Sequence, residues 1–189
     1  MRVQLRIVAG SLRGRKLTVN VGEDLRPAPQ MVREALFSIL GDAVPGRPFF
    51  DLFAGTGAVG LEALSRGADP VTLVERDFRT AGEITRHLAA FGVAEQASVV
   101  RADAYRWAER WEAPAEPVNV FIGPPYPDYQ RRLKDLLLLV ADLQQKVAPG
   151  SVLVLQAERT FSAAKLPAGD QWEQRHYGRN SLLIWVKEG

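Results

Sequence analysis

Residues 49 to 60 read Phe49-Phe50-Asp51-Leu52-Phe53-Ala54-Gly55-Thr56-Gly57-Ala58-Val59-Gly60, an apolar strand that ends in a carboxylate and runs into a glycine turn. The three glycines have the spacing G-x-G-x-x-G, in which the backbone approaches a ligand and the next helix N-terminus offers unpaired N–H groups. The pattern is weak by itself, but the apolar run 71–74 ends at Glu75, where an acid can bind a ribose diol. The stretch therefore predicts the first strand and cofactor loop of an α/β domain, for a nicotinamide or flavin or for a nucleoside of another kind.

Asp51 separates these two kinds of ligand. A pyrophosphate on the glycine turn would be repelled by its carboxylate, whereas a ligand with an ammonium or sulfonium centre would be attracted. S-adenosylmethionine carries both cations, and its ribose diol suits Glu75. We therefore favour S-adenosylmethionine over a dinucleotide. The alternative interpretation is that Asp51 is only a turn or cap residue.

The bulk composition indicates one domain with a small appendage, because 189 residues with 47% hydrophobic content can bury one core but not two full-sized ones. The absence of cysteine excludes disulfides, thiolate metal sites and a cysteine nucleophile, and it favours a reducing, cytoplasmic location. The two histidines, His87 and His176, are too scattered for a metal site. The sequence shows no pattern of a signal peptide or a membrane span, so we expect no membrane association.

Positive charge is concentrated at the N-terminus. Residues 1–47 hold 8 Lys or Arg against 4 acids, whereas residues 48–189 hold 16 against 18. The first sixteen residues contain no acid and carry the basic side chains Arg2, Arg6, Arg13, Arg15 and Lys16. This distribution favours a surface that faces nucleic-acid phosphates. The alternative is a hairpin whose arginines only keep an edge strand from aggregating.

The N-terminal segment predicts a β-hairpin followed by a helix. Polar and apolar residues alternate over 2–8 and 15–21, with a turn between that places Arg13 and Arg15 at the tip. Residues 31–40 have an apolar helical face, with Arg33 predicted to lie off it. The Pro- and Gly-containing loop before Phe49 marks a boundary, so we divide the chain into an extension, 1–47, that is expected to contact nucleic acid, and a main domain, 48–189.

Strands and helices alternate after Phe49, which predicts a parallel sheet. The predicted strands after the first are 71–74, 97–100, 118–122 and 151–156, the predicted helices are 58–66, 79–91 and 129–145, and a terminal antiparallel hairpin pairs 172–177 with 181–187. Asp103 follows the third strand, so it lies at the same carboxyl edge as Asp51 and Glu75. It could accept a hydrogen bond from an adenine amino group. It could equally cap the helix that starts near Ala104, and the two roles are compatible.

These motifs together resemble the RsmD-like family, methyltransferases that act on the exocyclic N2 of a guanine in 16S ribosomal RNA. The resemblance covers nearly the whole chain and rests on four blocks: residues 6–10 with 14–17, residues 26–27 with 32–37, residues 51–57 leading into 60–68, and Pro124-Pro125-Tyr126. It implies a Rossmann-like, seven-stranded class I methyltransferase sheet, mostly parallel, with a small N-terminal extension. It also implies a target base everted beside S-adenosylmethionine.

The resemblance assigns roles to residues of this chain. The cofactor contacts that it implies are Asp51, Phe53, Ala54, Gly55, Thr56, Gly57, Glu75, Arg76, Asp103 and Ala104, and the catalytic turn is Gly123, Pro124, Pro125 and Tyr126. RNA contacts are expected from Arg6, Arg13, Arg15, Lys16 and Arg33. Tyr126 would stack on the target base, although it could instead only pack the loop. The expected partner is 16S rRNA or the assembling small ribosomal subunit, bound by a monomer.

Gly123 departs from the family motif, which has Asp or Asn before Pro-Pro-Tyr or Pro-Pro-Phe. The helix entry also departs, with Ala28, Gln30 and Met31 in place of Thr, an acid and a basic residue. An alternative function is therefore a catalytically weak or silent homologue that binds cofactor or RNA. We expect an aspartate at position 123 to raise methyl transfer. If Gly123 merely allows the strand to turn, a side chain there would clash.

Overall fold

The computed structural model describes residues 1–22 and 26–189. Within this part of the chain, seven strands form one sheet in the order β5-β4-β3-β6-β7-β9-β8, and β1 and β2 form a separate antiparallel hairpin. Strands β3 to β7 are mutually parallel, whereas β9 is antiparallel to both β7 and β8. The predicted sheet, its antiparallel C-terminal hairpin and the N-terminal hairpin are confirmed.

The strands are β1 (Arg2–Arg6), β2 (Lys16–Asn20), β3 (Phe49–Asp51), β4 (Val71–Glu75), β5 (Ala97–Arg101), β6 (Asn119–Ile122), β7 (Val152–Glu158), β8 (Glu173–Tyr177) and β9 (Asn180–Val186). The α-helices are α1 (Gln30–Leu40), α2 (Ala58–Ser65), α3 (Phe78–Ala90), α4 (Ala104–Arg110), α5 (Asp128–Arg131) and α6 (Leu133–Lys146). Most bounds lie within two residues of the predicted ones.

The two faces of the sheet bury separate apolar clusters, because successive strand side chains point to opposite faces. Phe49 packs in a cluster with α1, α2, α3 and the N-terminal hairpin. Phe50 packs in a second cluster with α4 and α6. Helices therefore cover both faces and leave the carboxyl edge of the parallel strands open, where ligands of such sheets bind.

The turn of the N-terminal hairpin is attached to helix α2 by hydrogen bonds between its main-chain groups and side chains of α2. The side chain of Glu62 is fully buried, and its two oxygens accept from the N–H groups of Val8 at 2.9 Å and Ala9 at 3.1 Å. Ser65 accepts from the N–H of Leu12 at 2.9 Å and donates to the carbonyl of Ala9. These bonds satisfy polar groups of the hairpin that would otherwise be buried without partners.

Gly10 permits this close approach. Its φ is +83°, and a Cβ placed on it would lie 1.8 Å from the carbonyl oxygen of Ser65. Both the left-handed backbone and the missing side chain are therefore required where the hairpin turn meets α2.

The structure corrects two predictions, the RNA contact of Arg33 and the continuous helix over residues 129–145. Arg33 is 2% exposed and does not lie on an outward RNA-facing surface; its guanidinium donates to the carbonyls of Ala28 at 2.8 Å and Arg6 at 2.9 Å. It thereby joins the start of α1 to the hairpin, and burial lowers its pKa against the raising effect of Glu62. The predicted helix 129–145 is two helices, because Arg132 has φ −128° and interrupts it.

The helices of the described residues are all too short or too polar to cross a bilayer.

Candidate active site

One cleft of about 1320 Å³ opens at the carboxyl edge of the parallel strands. Of the residues predicted to bind cofactor, the cleft is lined by Asp51, Phe53, Ala54, Gly55, Thr56, Glu75, Arg76, Asp103 and Ala104. The whole predicted catalytic turn, residues 123–126, lines it as well. The structure thus brings together in one cavity side chains from the ends of several neighbouring strands.

Gly57 is the exception among the predicted cofactor contacts, because it does not line the cleft. It precedes α2 with φ +79°, and a Cβ there would lie 3.0 Å from the side chain of Ile84 in α3. Its glycine identity follows from the left-handed turn and from packing against α3, which are structural requirements.

Glu75 fixes the glycine turn from the end of β4. One carboxylate oxygen accepts from the N–H of Gly55 at 2.8 Å, and the other accepts from the N–H of Asp77 at 2.8 Å. The acid predicted to bind a ribose therefore also holds two loops at the cleft in place. Each oxygen has a second lone pair available for a ligand hydroxyl.

Asp51 is the most perturbed acid of the cleft. It is 1% exposed; its Oδ2 accepts from the N–H of Gly60 in α2 at 3.2 Å, and its Oδ1 has no hydrogen-bond partner among the described residues. Burial raises its pKa to about 7, with the N–H of Gly60 opposing and the charge of Glu75 adding to the rise. Asp51 thus does bond to the helix start, as in the cap interpretation.

The second oxygen of Asp51 remains to be explained, because a buried carboxylate oxygen without a partner is costly and uncommon. A cationic group in the cleft would satisfy it, and S-adenosylmethionine carries such groups. The residues present therefore fit that cofactor, because Oδ1 of Asp51 lacks a partner among the described residues and lies in the same cleft as the glycine turn and Glu75.

Asp103 acts as the cap of α4, accepting from the N–H groups of Tyr105 at 3.1 Å and Arg106 at 3.2 Å. Its other oxygen receives Arg132 at 3.0 Å. Burial raises the pKa of Asp103, but these donors and the charge of Arg132 outweigh burial and lower it overall. Asp103 is therefore an ionised carboxylate whose position at the wall of the cleft is fixed by hydrogen bonds.

Arg132 is a cleft residue that sequence reasoning missed. Its guanidinium carbon lies 4.0 Å from the ring centroid of Tyr105, whose hydroxyl donates to the buried Asp128 at 2.8 Å. The sequence predicts a continuous helix here, whereas Arg132 lies between α5 and α6 and forms one long-range ion pair with Asp103 and one local pair with Asp135. Arg132, Tyr105 and Asp128 all line the cleft.

Tyr126 is half-buried and oriented by its hydroxyl, which donates to Oδ1 of Asn180 at 2.6 Å. The same Asn180 oxygen accepts from Nε2 of Gln156 at 3.1 Å. Burial and the charge of Glu158 raise the pKa of Tyr126, with the amide of Gln156 opposing. The ring is thus held at the cleft in one orientation, which suits packing of the loop and stacking of a base alike.

Gly123 lies beside a buried aromatic ring. A Cβ on Gly123 would be 2.9 Å from Cε1 of Phe121, which is 3% exposed. The geometry supports the interpretation in which a side chain at this position clashes. The expectation that an aspartate alone raises methyl transfer is therefore revised, because Phe121 has to move first.

The basic residues of the hairpin, Arg6, Arg13, Arg15 and Lys16, are exposed. Strand β2 runs along α3, with Asn20 bonded to Glu83 at 2.7 Å and Arg15 5.3 Å from the ring centroid of Phe91. Asn20 lines the cleft, whereas Arg13 and Arg15 do not, and Arg15 lies near Phe91, which follows the C-terminus of α3. The hairpin tip is therefore a surface separate from the cleft.

The strand order, the antiparallel terminal hairpin and the carboxyl-edge cleft define a class I, S-adenosylmethionine-dependent methyltransferase. The family model described as "Conserved hypothetical protein 95" matches residues 5–186, and the chain belongs to this family, the RsmD-like methyltransferases. The cofactor is therefore S-adenosylmethionine, and the alternative of a nicotinamide or flavin site is wrong.

Three similar proteins illustrate the relationship. "Putative rRNA methyltransferase YlbH" of Bacillus subtilis (strain 168) is 32% identical over 98% of this chain and 100% of its own length. "Ribosomal RNA small subunit methyltransferase D" of Escherichia coli (strain K12) is 40% identical over 65% of this chain, a match that spans 61% of that relative. The solved structure "Putative methyltransferase yhhF from Escherichia coli" has a TM-score of 0.80 and 30% identity over 99% of both chains. These comparisons do not support a silent homologue.

Proposed function

We propose that this protein transfers a methyl group from S-adenosylmethionine to the exocyclic N2 of a guanine in 16S rRNA, free or in the assembling small subunit, and that it acts as a cytoplasmic monomer. The observation that carries the proposal is the single cleft in which the cofactor turn and the Pro-Pro-Tyr turn meet. Relatives named as small-subunit rRNA methyltransferases support the class of substrate.

The size of the cleft supports two occupants. Sites for one small molecule usually enclose about 300–1,000 Å³, and this cleft is about 1320 Å³. The excess volume suits a nucleotide base beside the cofactor. Such a base has to leave its stack, because enzymes that modify bases act on extruded or single-stranded nucleotides.

The cofactor would be held at the ends of β3, β4 and β5. Asp51 would hold a cationic group, Glu75 the ribose hydroxyls, and Asp103 with Ala104 the adenine. When bound, S-adenosylmethionine supplies an electrophilic methyl group on a sulfonium. The same carboxylates disfavour a pyrophosphate at this position.

The catalytic turn has to compensate for the poor nucleophilicity of an aromatic amine, whose lone pair is delocalised into the ring. Acceptors that bind the N–H groups favour a more tetrahedral nitrogen. The carbonyls of Gly123 and Pro124 lie on a turn that two consecutive prolines keep rigid, so these acceptors need little reorganisation. Tyr126, fixed by Asn180, supplies an aromatic ring for stacking on the base.

The exposed arginines and lysine of the hairpin would bind phosphates of the RNA outside the cleft. Their number suits a salt-sensitive, sequence-independent contact. Arg33 has no part in this contact because it is buried.

The test is to incubate the pure protein with labelled S-adenosylmethionine and either protein-free small-subunit RNA or partly assembled subunits. The RNA is then digested, and the methylated nucleosides are separated and identified. We expect label in N2-methylguanosine. Label in another nucleoside would refute the assigned atom, and the absence of label from RNA in both substrates would refute methyltransferase activity toward this RNA.

A further inference from the structure

Gly123 leaves the target amine without a side-chain acceptor from β6, and the neighbouring strand offers one. The parallel register of β6 and β7 pairs Phe121 with Val154 and Ile122 with Leu155. The next residues in this register are Gly123 and Gln156. Paired residues of parallel strands point to the same face, so the side chain of Gln156 lies on the face where a side chain at position 123 would lie.

Gln156 is placed to act on a ligand. It lines the cleft together with Gly123 and Pro124, and it is only 9% exposed. Its main-chain carbonyl accepts from the hydroxyl of Tyr129, which fixes the backbone at this point of β7.

The amide group of Gln156 has a defined orientation. Its Nε2 donates to Oδ1 of Asn180, which also accepts the hydroxyl of Tyr126. Since Nε2 points toward Asn180, Oε1 points away from it, and Oε1 accepts no hydrogen bond from the residues that the structure describes. An amide oxygen held in this way is a preorganised acceptor.

We propose that Oε1 of Gln156 accepts one N–H of the target exocyclic amine and so replaces the side chain that Gly123 lacks; this inference rests on the proposed function. Gln156 is then a catalytic residue. The amide gains no proton during the reaction, because its oxygen is a weak base, and the surplus proton of the methylated amine leaves to water. The role is also sterically consistent, because a side chain on Gly123 would have to displace the ring of Phe121.

Four variants test this role. One of them, Glu158→Gln, removes the charge of a carboxylate that also lines the cleft. Gln156→Met keeps the length of the side chain but removes the acceptor, whereas Gln156→Glu keeps acceptor oxygens. Gln174→Met is the matched control: Gln174 is a half-buried amide in β8 that bonds to Phe161, Ala163 and Ser181 and does not line the cleft. All are compared with the parent by single-turnover methyl transfer to protein-free small-subunit RNA, by calorimetric binding of S-adenosylhomocysteine and by thermal unfolding.

We expect Gln156→Met to lower the single-turnover rate by about 10²-fold with unchanged S-adenosylhomocysteine binding, as for other lost active-site donors or acceptors. Gln156→Glu should retain a rate within about tenfold of the parent, because one well-placed acceptor remains. Gln174→Met should transfer methyl groups at the parental rate.

Three results would overturn the inference. The first is a parental rate in Gln156→Met; the second is an equal loss of rate in the Gln156→Met and Gln174→Met variants that follows their loss of thermal stability. The third is a loss confined to Glu158→Gln, which would assign the acceptor to that cleft carboxylate instead. In all three the parent still methylates RNA, whereas a parent that transfers no methyl group would refute the proposed function itself and this inference with it.

Discussion

Cofactor binding should depend on pH through Asp51. The cationic ligand needs the ionised carboxylate, and in the unbound protein burial raises the pKa of this group to about 7. Each pH unit below that value reduces the ionised fraction up to tenfold, so the affinity for S-adenosylmethionine should rise by about 20-fold between about pH 5.5 and 7.5. Above that range the curve should level.

Replacing Asp51 by Asn should flatten this curve. It should also weaken binding at the upper pH by about 1.5–3 kcal/mol, the usual contribution of a hydrogen bond to a charged group. Calorimetry with S-adenosylmethionine and S-adenosylhomocysteine measures both effects. His87 and His176 do not line the cleft, so a pH dependence that Asp51→Asn removes belongs to the carboxylate.

In the unbound protein, the free energy of unfolding should also depend on pH through Asp51, and it should fall over the range in which the affinity rises. The pKa of Asp51 is raised from 3.8 to about 7 on folding, so the native state binds more protons in this window. The contribution of Asp51 to the free energy of unfolding should therefore fall as pH rises from 3.8 to about 7 and stay constant above it. A pH-independent affinity in the parent, or the same pH dependence in Asp51→Asn, would refute the reasoning.

Three further predictions concern the glycines and the hairpin. Gly10→Ala should destabilise the protein by more than about 1 kcal/mol in thermal or urea unfolding. Gly22→Ala should not, because a Cβ there meets nothing within 4 Å among the residues that the structure describes; equal effects would contradict the close contact of Gly10 with Ser65. Gly123→Asp should lower both stability and single-turnover rate, and adding Phe121→Leu should recover part of both; an increase from Gly123→Asp alone would show that Phe121 moves freely. Replacing Arg13 and Arg15 together by Ala should reduce the slope of log RNA affinity against log salt by about 1.4, at about 0.7 per single-strand phosphate contact, and an unchanged slope would show that the hairpin tip does not bind RNA.

The sheet could be predicted from sequence because its signals are local. Apolar runs bounded by turns fix the strands, and an acid directly after a strand lies at the carboxyl edge whatever packs around it. These signals predict Asp51, Glu75 and Asp103 at the carboxyl edge, and all three line the cleft.

The remaining site residues depend on neighbours that are distant in sequence. Arg33 has the spacing of an outward-facing helical residue, but its guanidinium is buried and donates to the carbonyl of Arg6 in the hairpin. Arg132 lies at the break between α5 and α6 and pairs with Asp103, which is distant in sequence. In the sequence, Gln156 is one polar residue in an apolar strand. Its position next to Gly123 follows only from the register between β6 and β7. The division at residue 47 stays a prediction.

The bonds from Glu62 and Ser65 to the hairpin give a separate meaning to the block 60–68. In sequence this block continues the cofactor turn, but the side chains of Glu62 and Ser65 bind the N-terminal hairpin. A methyltransferase sequence that has the glycine turn but lacks the buried acid and the serine three residues later should lack an N-terminal hairpin docked at this place. The acid and the serine together should therefore distinguish class I methyltransferase sequences that have this docked hairpin from those that lack it.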